Sequence, residues 1–442
     1  MGYDEGKKVY LLHAIFIIFM LLFNGDQIKA FENSFEGSVK SFIVYWKYGN
    51  IFLYLLFGII FFTYKPSAKK IESETGFDYD SNSVNQIKTS DPNFDPEKFL
   101  RNIGSLAEKM NGAWVNNKMS VVRNLISSGV YNRFKIQLGL MKSDKVQNVM
   151  SDWFLSNVFL HSFAKDKDYE TVHVQIQAYA RDANLSTDLS KSEVEKFISS
   201  TPQTYYSEIW SFVRKLNAPT REGKNLLEGN CPNCGAPILE LGESNQCKYC
   251  KSIVNSGEYD WVLAEITQIE EWKTDREEID LHEIIELSKI NPMVSKQIIE
   301  DRASYLFWLW VEGRRVGDLS PLSRDISKNF LNYKFKKSSL HDVAVGAVEL
   351  NSIQQQGDDF LAEVLVLWSA AHQLGANPEH KENKFHLRLP KSITKNSGLS
   401  ENSCLSCGAP YPDSGTSNCA YCGADVPSTV SDWLLDQVTK VQ

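Results

Sequence analysis

All eight cysteines of the chain fall into two copies of one pattern. Cys231, Cys234, Cys247 and Cys250 are spaced C-x2-C-x12-C-x2-C, and Cys404, Cys407, Cys419 and Cys422 are spaced C-x2-C-x11-C-x2-C. Two residues between paired cysteines let a tight knuckle aim both sulfurs at one ion, so each set of four matches tetrahedral zinc bound by thiolates. Disulfides are the rival reading, but C-x2-C pairs in sets of four make a poor disulfide framework. With four sulfur ligands no coordination position stays open for water or substrate, so the two expected Zn²⁺ ions are structural. Gly235, Gly408 and Gly423 directly follow cysteines, where a knuckle calls for positive φ; Lys251 after Cys250 departs from that pattern. Each copy is also followed by a tryptophan, Trp261 or Trp433, eleven residues past its last cysteine.

At 442 residues the chain can hold two or three domains with real cores. Its formal net charge is −8, and eight thiolates around two Zn²⁺ would add about −4 more. No basic stripe interrupts this acidity, so no nucleic acid is expected as a partner.

The first 64 residues hold two apolar segments. Residues 9–23 follow Lys7 and Lys8 and read as a signal-peptide core or a short span; residues 45–64 are long enough as a helix to cross a bilayer, with Tyr45, Trp46, Tyr48 and Tyr64 as interfacial aromatics. The expectation is an uncleaved membrane hairpin over 1–64, with membrane lipid as its partner. Zinc-bound cysteines are easiest to keep in a reducing compartment, which puts residues 65–442 on the cytoplasmic side. Residues 65–93 are polar and without apolar period, so they read as a flexible linker.

Asp95-Pro96 is a helix start, with Phe99, Leu100, Ile103, Leu106, Met110 and Trp114 at helical spacing behind it. Helical stretches follow over Val121–Ile126 and Val130–Met141. The period then changes to two: Val172, Val174, Ile176, Ala178 and Ala180 alternate with polar residues, giving a half-buried strand. A polar excursion over 182–203 leads to a strand over Tyr205–Lys215. Residues 270–290 read as a connecting helix. The chain then repeats itself: Asn291-Pro292 answers Asp95-Pro96, Trp310 answers Trp114 and Phe330 answers Phe134, each 196 residues later. In the second copy Phe360–Ala371 is apolar on both faces apart from Glu363 and Ser369, so a sheet covered on both sides is expected.

The segments FDPEKFL at Phe94–Leu100, Tyr131-Asn-Arg-Phe134, Tyr169–Asp182 and Trp210-Ser-Phe-Val-Arg214 resemble the Tim44-like domain family of the NTF2-like superfamily, and bacterial membrane-anchored members with inserted zinc ribbons in particular. The resemblance implies an α+β chain with two cone domains, each a helical hairpin against a bent antiparallel sheet. Domain 1 would span 94–269 with its ribbon at 231–250, and domain 2 would span 291–442 with its ribbon at 404–422, each ribbon set before the last strand. It also implies a membrane-anchored scaffold with a protein partner, in the bacterial inner membrane, in protein translocation or envelope function. In the mitochondrial relative that role comes with contact to acidic lipid. An amphipathic first helix with Phe99, Ile103 and Met110 could lie on lipid, but packing on its own sheet is the stronger reading.

The alternative is a pocket used as an enzyme or as a lipid or small-ligand carrier. His161, His173, His282, His341, His372, His380 and His386 are scattered and form no catalytic motif. A phosphate loop, a nucleophile elbow and an H-E-x-x-H pair are all missing, so no catalytic residue is assigned.

Overall fold

The computed structural model describes residues 75–238, 244–272, 281–290, 294–390, 399, 404, 406–407, 409, 417–427 and 432–441, all within one compact unit, Ser73–Gln442. The apolar segments 9–23 and 45–64 lie outside the described residues. Among the described residues no helix is long and apolar enough to cross a membrane.

The first repeat opens with strand β1 (Gly76–Tyr79) and helix α1 (Ser81–Ser90), followed by α2 (Pro96–Val115), a short 3-10 turn (Met119–Val122) and α3 (Ser128–Ser143). Strands β2 (Val146–Lys165), β3 (Tyr169–Ser186), β4 (Thr204–Lys215) and β5 (Val262–Gln268) follow, with α4 (Lys191–Ser200) between β3 and β4. They form one sheet in the order β1-β2-β3-β4-β5, antiparallel except for the β1–β2 pair. α2 starts where expected. The Asp95 carboxylate accepts the Lys98 N–H at 3.1 Å, and Pro96 occupies the first turn, where its missing N–H costs nothing. Phe99, Leu100, Ile103, Leu106 and Met110 are buried in the first core, so the apolar stripe of this helix is spent on its own sheet rather than on lipid.

Residues 76–90 are not a tether: β1 extends the sheet and α1 packs on it. The expectation failed because the anchors of this stretch are few, Val84 and Ile87 among polar neighbours, and because its end is held by charge. Asp91, just past α1, accepts from Arg214 of β4 at 2.8 Å and from the Thr220 hydroxyl at 2.6 Å. The polar excursion also contains a helix, α4, started by a capping box in which Ser190 and Glu193 bond each other's backbone amides.

The second repeat contains α5 (Leu281–Ile290), α6 (Lys296–Val316), two 3-10 turns (Ser320–Leu322 and Phe330–Asn332) and strands β6 (His341–Gln356), β7 (Asp359–Ala371), β8 (Glu379–Leu389) and β9 (Leu434–Lys440). Its sheet runs β6-β7-β8-β9, all antiparallel, the same order as β2 to β5. The duplication is present but its spacing is 200 residues, not 196. Ser295, rather than Asn291, caps α6, as Asp95 caps α2. Ile126 and Ile326 make the same parallel bridge, to Leu263 and Leu435, and Ser127 and Ser327 donate N–H to those same carbonyls. A slip of four residues is close to one helical turn, so the apolar face still matched and hid the error. Trp310 therefore stands where the first repeat has Met110. Phe330 stands where it has Val130, in a 3-10 turn rather than a third helix.

The second sheet is covered in part on its other face. On β7, Phe360, Ala362, Val364, Val366 and Trp368 are buried on one face; on the other, Leu367 and Ala371 are buried as well, while Leu361, Glu363 and Leu365 are half-buried. Salt bridges cross that outer face, Lys384–Glu363 at 2.7 Å and Arg388–Asp359 at 3.0 Å, and the aliphatic stems of such residues can shield the leucines between them.

The repeats interlock through α3 and α6. Ile298 of α6 belongs to the first core and Leu140 of α3 to the second. Asp301 of α6 accepts from the Ser127 hydroxyl and sits at the start of α3, where a carboxylate meets unpaired amides. Burial pushes its carboxyl up to about 8. A Cβ on Gly129 would lie 2.7 Å from the Asp301 carbonyl oxygen, so only glycine lets the two helices come this close.

Candidate functional site

Both sets of four cysteines converge. Within each set all four sulfurs lie within 4.8 Å of one another. The shorter Sγ–Sγ separations are 3.7 Å for Cys231–Cys250, 3.9 Å for Cys234–Cys247, 3.6 Å for Cys404–Cys422 and 3.8 Å for Cys407–Cys419. A tetrahedron with metal–sulfur bonds of about 2.3 Å has edges of about 3.8 Å, whereas a disulfide would bring two sulfurs to about 2 Å. The donor set thus fits one tetrahedral ion per cluster.

The knuckles are built by local backbone bonds. Gly235 N–H donates to the Cys231 carbonyl at 2.8 Å and Lys251 N–H to that of Cys247 at 3.0 Å; Gly423 N–H repeats this on Cys419 at 2.9 Å. Gly235 and Gly423 have φ of 80° and 74°. Lys251 adopts φ of 62° as well, so the one knuckle without glycine keeps the geometry and bears the steric cost of a Cβ. Burial pushes the Cys231 thiol up to about 12. At Cys250 burial also pushes up, but hydrogen bonds from the Ser252 hydroxyl and amide and from neighbouring thiols outweigh it and bring that thiol down to about 6.

The ribbons sit between β4 and β5 and between β8 and β9, before the last strand of each sheet, as expected. They are not equally embedded. Cys231 and Cys247 are part of the first core with Leu226, Val254 and Trp261, whereas Cys404, Cys407 and Cys419 cluster apart with Ala409. After each ribbon an Asp-Trp pair re-enters the sheet in one geometry. The Asp260 carboxylate accepts the Trp261 N–H at 2.8 Å, and the Asp432 carboxylate accepts that of Trp433 at 2.6 Å. A buried arginine secures each pair: Arg214 lies over the Trp261 ring at 4.2 Å, and Arg302 meets Asp432 at 3.0 Å.

The ribbons also touch each other, which nothing in their spacing revealed. Asn245 N–H donates to the Cys407 carbonyl at 3.2 Å, the Ser244 hydroxyl donates to the same oxygen, and the Gln246 side-chain amide donates to the Ser406 carbonyl. The tyrosine inside the second knuckle of each ribbon, Tyr249 or Tyr421, is exposed, at 68% and 56%.

A cavity of about 370 Å3 opens between the first sheet and its helices. Ala107, Met110 and Trp114 of α2 line it from one side, and Tyr206, Glu208 and Trp210 line it from β4. In the second repeat Phe307 replaces Ala107 at the 200-residue spacing. It packs with Trp310, Trp368 and Phe385 at ring separations of 5.4 to 6.1 Å, and a cavity of about 770 Å3 opens beside these rings, lined by Trp310, Arg314, Tyr333, Trp368, Lys381 and Asn383.

His372 and His380 line one cavity of the second repeat with Glu379, 3.6 Å from His372, and His161 and His173 both pack on Trp272; the other described histidines lie apart. His341 bonds Asp144 at 2.7 Å between the repeats, His173 bonds Ser211 at 2.9 Å and His386 bonds Thr439 at 3.2 Å.

Residues 81–225 match the family model of the Tim44-like domain. This stretch is similar to the Tim44-like domain. The match starts at α1 and ends just before Cys231, so the first ribbon and β5 lie past its end. Among curated proteins none matches the chain in sequence. A solved structure described as an "Ntf2 like protein involved in plasmid conjugation" aligns with 63% of this chain and 90% of its own at 8% identity and a TM-score of 0.15. That score is too low to carry an argument about architecture.

Proposed function

We propose that this chain is a membrane-anchored, non-catalytic interaction protein in which a Tim44-like domain, a second repeat of NTF2-like type and two structural zinc ribbons form one rigid scaffold. Zinc suits the sites because all donors are thiolates at tetrahedral spacing and a d¹⁰ ion has no geometry of its own to impose. The observation that carries the reading is the pairing of the ribbons, which holds two cysteine knuckles side by side with Tyr249 and Tyr421 turned outward. Aromatic side chains on a rigid support make good anchors for a protein partner. Four-thiolate sites leave no open position for chemistry, and no histidine lines the cavity of the first repeat. The anchor rests on the apolar segments 9–23 and 45–64, and with it the placement at the bacterial inner membrane with the repeats in the cytoplasm. Protein translocation or envelope function follows from the Tim44-like domain.

The test is photo-crosslinking in intact membranes from a reactive residue at position 249 or 421, with one at exposed Phe197 of α4 as comparison. The expected outcome is a discrete protein adduct from both ribbon positions and none from 197. The adduct at 421 should be lost on Cys404→Ser/Cys407→Ser. No adduct from the ribbons, or the same adducts from 197, would contradict the reading.

A further inference from the structure

We propose that the cavity of the first repeat is a binding site for an organic cation of the quaternary-ammonium class. On β4, Tyr206, Glu208 and Trp210 alternate with core-facing or covered positions and so share one face; Ile176, Ala180 and Asp182 do the same on β3. Trp153 of β2 and Trp114 and Phe134 of the helices complete five aromatic walls.

The polar edges of these rings are already engaged. Trp153 Nε1–H donates to the Tyr206 oxygen at 2.7 Å, Trp210 Nε1–H to Glu208 at 2.9 Å, and Trp114 Nε1–H to Asn148 at 3.0 Å. Arg133 already lies over the Phe134 ring at 5.7 Å, and Trp114 packs on Phe134 at 5.6 Å, so the electron-rich faces offered to a ligand are those of Trp153, Tyr206 and Trp210. A cation stripped of water is attracted to such faces, and alkylated ammonium ions lose the least by giving up their hydration.

The charges in the wall carry the same sign preference. Glu208 accepts only from neutral donors, Trp210 and the Gln268 amide at 3.0 Å, and Asp182 accepts from the Asn148 amide at 2.6 Å. Neither carboxylate has a lysine or arginine partner among the described residues. Asp182 stands at the exposed rim of the cavity, and partial desolvation there pushes its carboxyl upward. Arg133 is the lining's cation, and it is held to the wall by the Ile266 carbonyl at 2.9 Å and by Glu265 at 3.8 Å. Two carboxylates against one guanidinium leave the lining at −1. The volume suits a small organic ion, standing near the lower end of ligand pockets of about 300–1,000 Å3.

Calorimetric titration of the full chain, in a maltoside micelle, with choline and with its neutral isostere 3,3-dimethyl-1-butanol tests this. Saturable choline binding is expected, at least about tenfold tighter than for the alcohol. Asp182→Asn/Glu208→Gln should weaken choline by about tenfold or more at an unchanged unfolding midpoint. Trp153→Leu should weaken it too, whereas Trp153→Phe, which keeps a ring face, should retain most of the affinity. Equal affinity for the alcohol, choline binding untouched by the folded carboxamide variant, or no saturable choline binding at all would each overturn the proposal.

Discussion

Cys231→Ser/Cys234→Ser is expected to abolish the cooperative unfolding transition of the first repeat, while Cys404→Ser/Cys407→Ser leaves the main transition almost in place. The asymmetry follows from burial. Cys231 and Cys247 stand inside the first core against Leu226, Val254 and Trp261, so losing the ion there leaves thiols and serine hydroxyls unpaired beneath the sheet. A structural Zn²⁺ contributes about 10–16 kcal/mol of apparent binding energy at neutral pH, as much as the whole stability of a typical domain. The second cluster is packed mainly on itself, so its loss should be confined to the loop between β8 and β9 and to the ribbon contact at Cys407. Thermal unfolding followed by tryptophan fluorescence, with amide exchange to locate the change, checks this. Equal damage from both double variants would show that the second ribbon is also a core element.

Arg214→Met is expected to destabilise the first repeat by about 3–5 kcal/mol, because it removes the one cation from a buried triad and strands two carboxylates. The guanidinium meets Asp91 at 2.8 Å and Glu170 at 3.0 Å, with all three side chains buried, and covers the Trp261 ring. One group therefore fastens α1, β3, β4 and the strand after the ribbon. Adding Asp91→Asn and Glu170→Gln removes the stranded charges, and the triple variant should recover a large part of the loss. Denaturant unfolding of the single and triple variants measures both numbers. A single variant within about 0.5 kcal/mol of wild type, the range of an ordinary surface change, would mean that the triad is not a fastening point.

These two sites were legible to different degrees, for physical reasons. Thiolate ligation demands a fixed local spacing, so the eight cysteines could be assigned from the chain alone. The start of α2 was equally plain, since Asp95 and Pro96 act within one turn. The Arg214 triad was not, because Asp91 lies 123 residues away from its partner and no local pattern records the pairing. Strand β2 escaped notice although it is 20 residues long. Register shifts between Ser151 and Phe154, between Leu155 and Asn157, and between Leu160 and Ser162 break the two-residue alternation that reveals a strand. β8 was hidden by charge, since Glu379, Lys381, Glu382 and Lys384 crowd a strand whose buried residues are Phe385, Leu387 and Leu389. The helix α4 could have been found, since Ser190 and Glu193 have the capping-box spacing. The cavity depended on knowing that Ala107 faces Tyr206 and Glu208, a matter of tertiary packing. Its counterpart in the second repeat differs in lining, since Phe307 stands in place of Ala107 and Lys381 and Asn383 join Trp310 and Trp368 in the wall.

The two tetrathiolate sites support the whole account, and metal analysis of the purified full chain tests them most directly. Two equivalents of zinc per chain are predicted, with all eight cysteines protected from alkylation until the metal is chelated. Replacement by Co²⁺ should give the charge-transfer bands of tetrahedral thiolate coordination at both sites. A chain purified without metal, or one whose cysteines prove to be joined as disulfides, would contradict it.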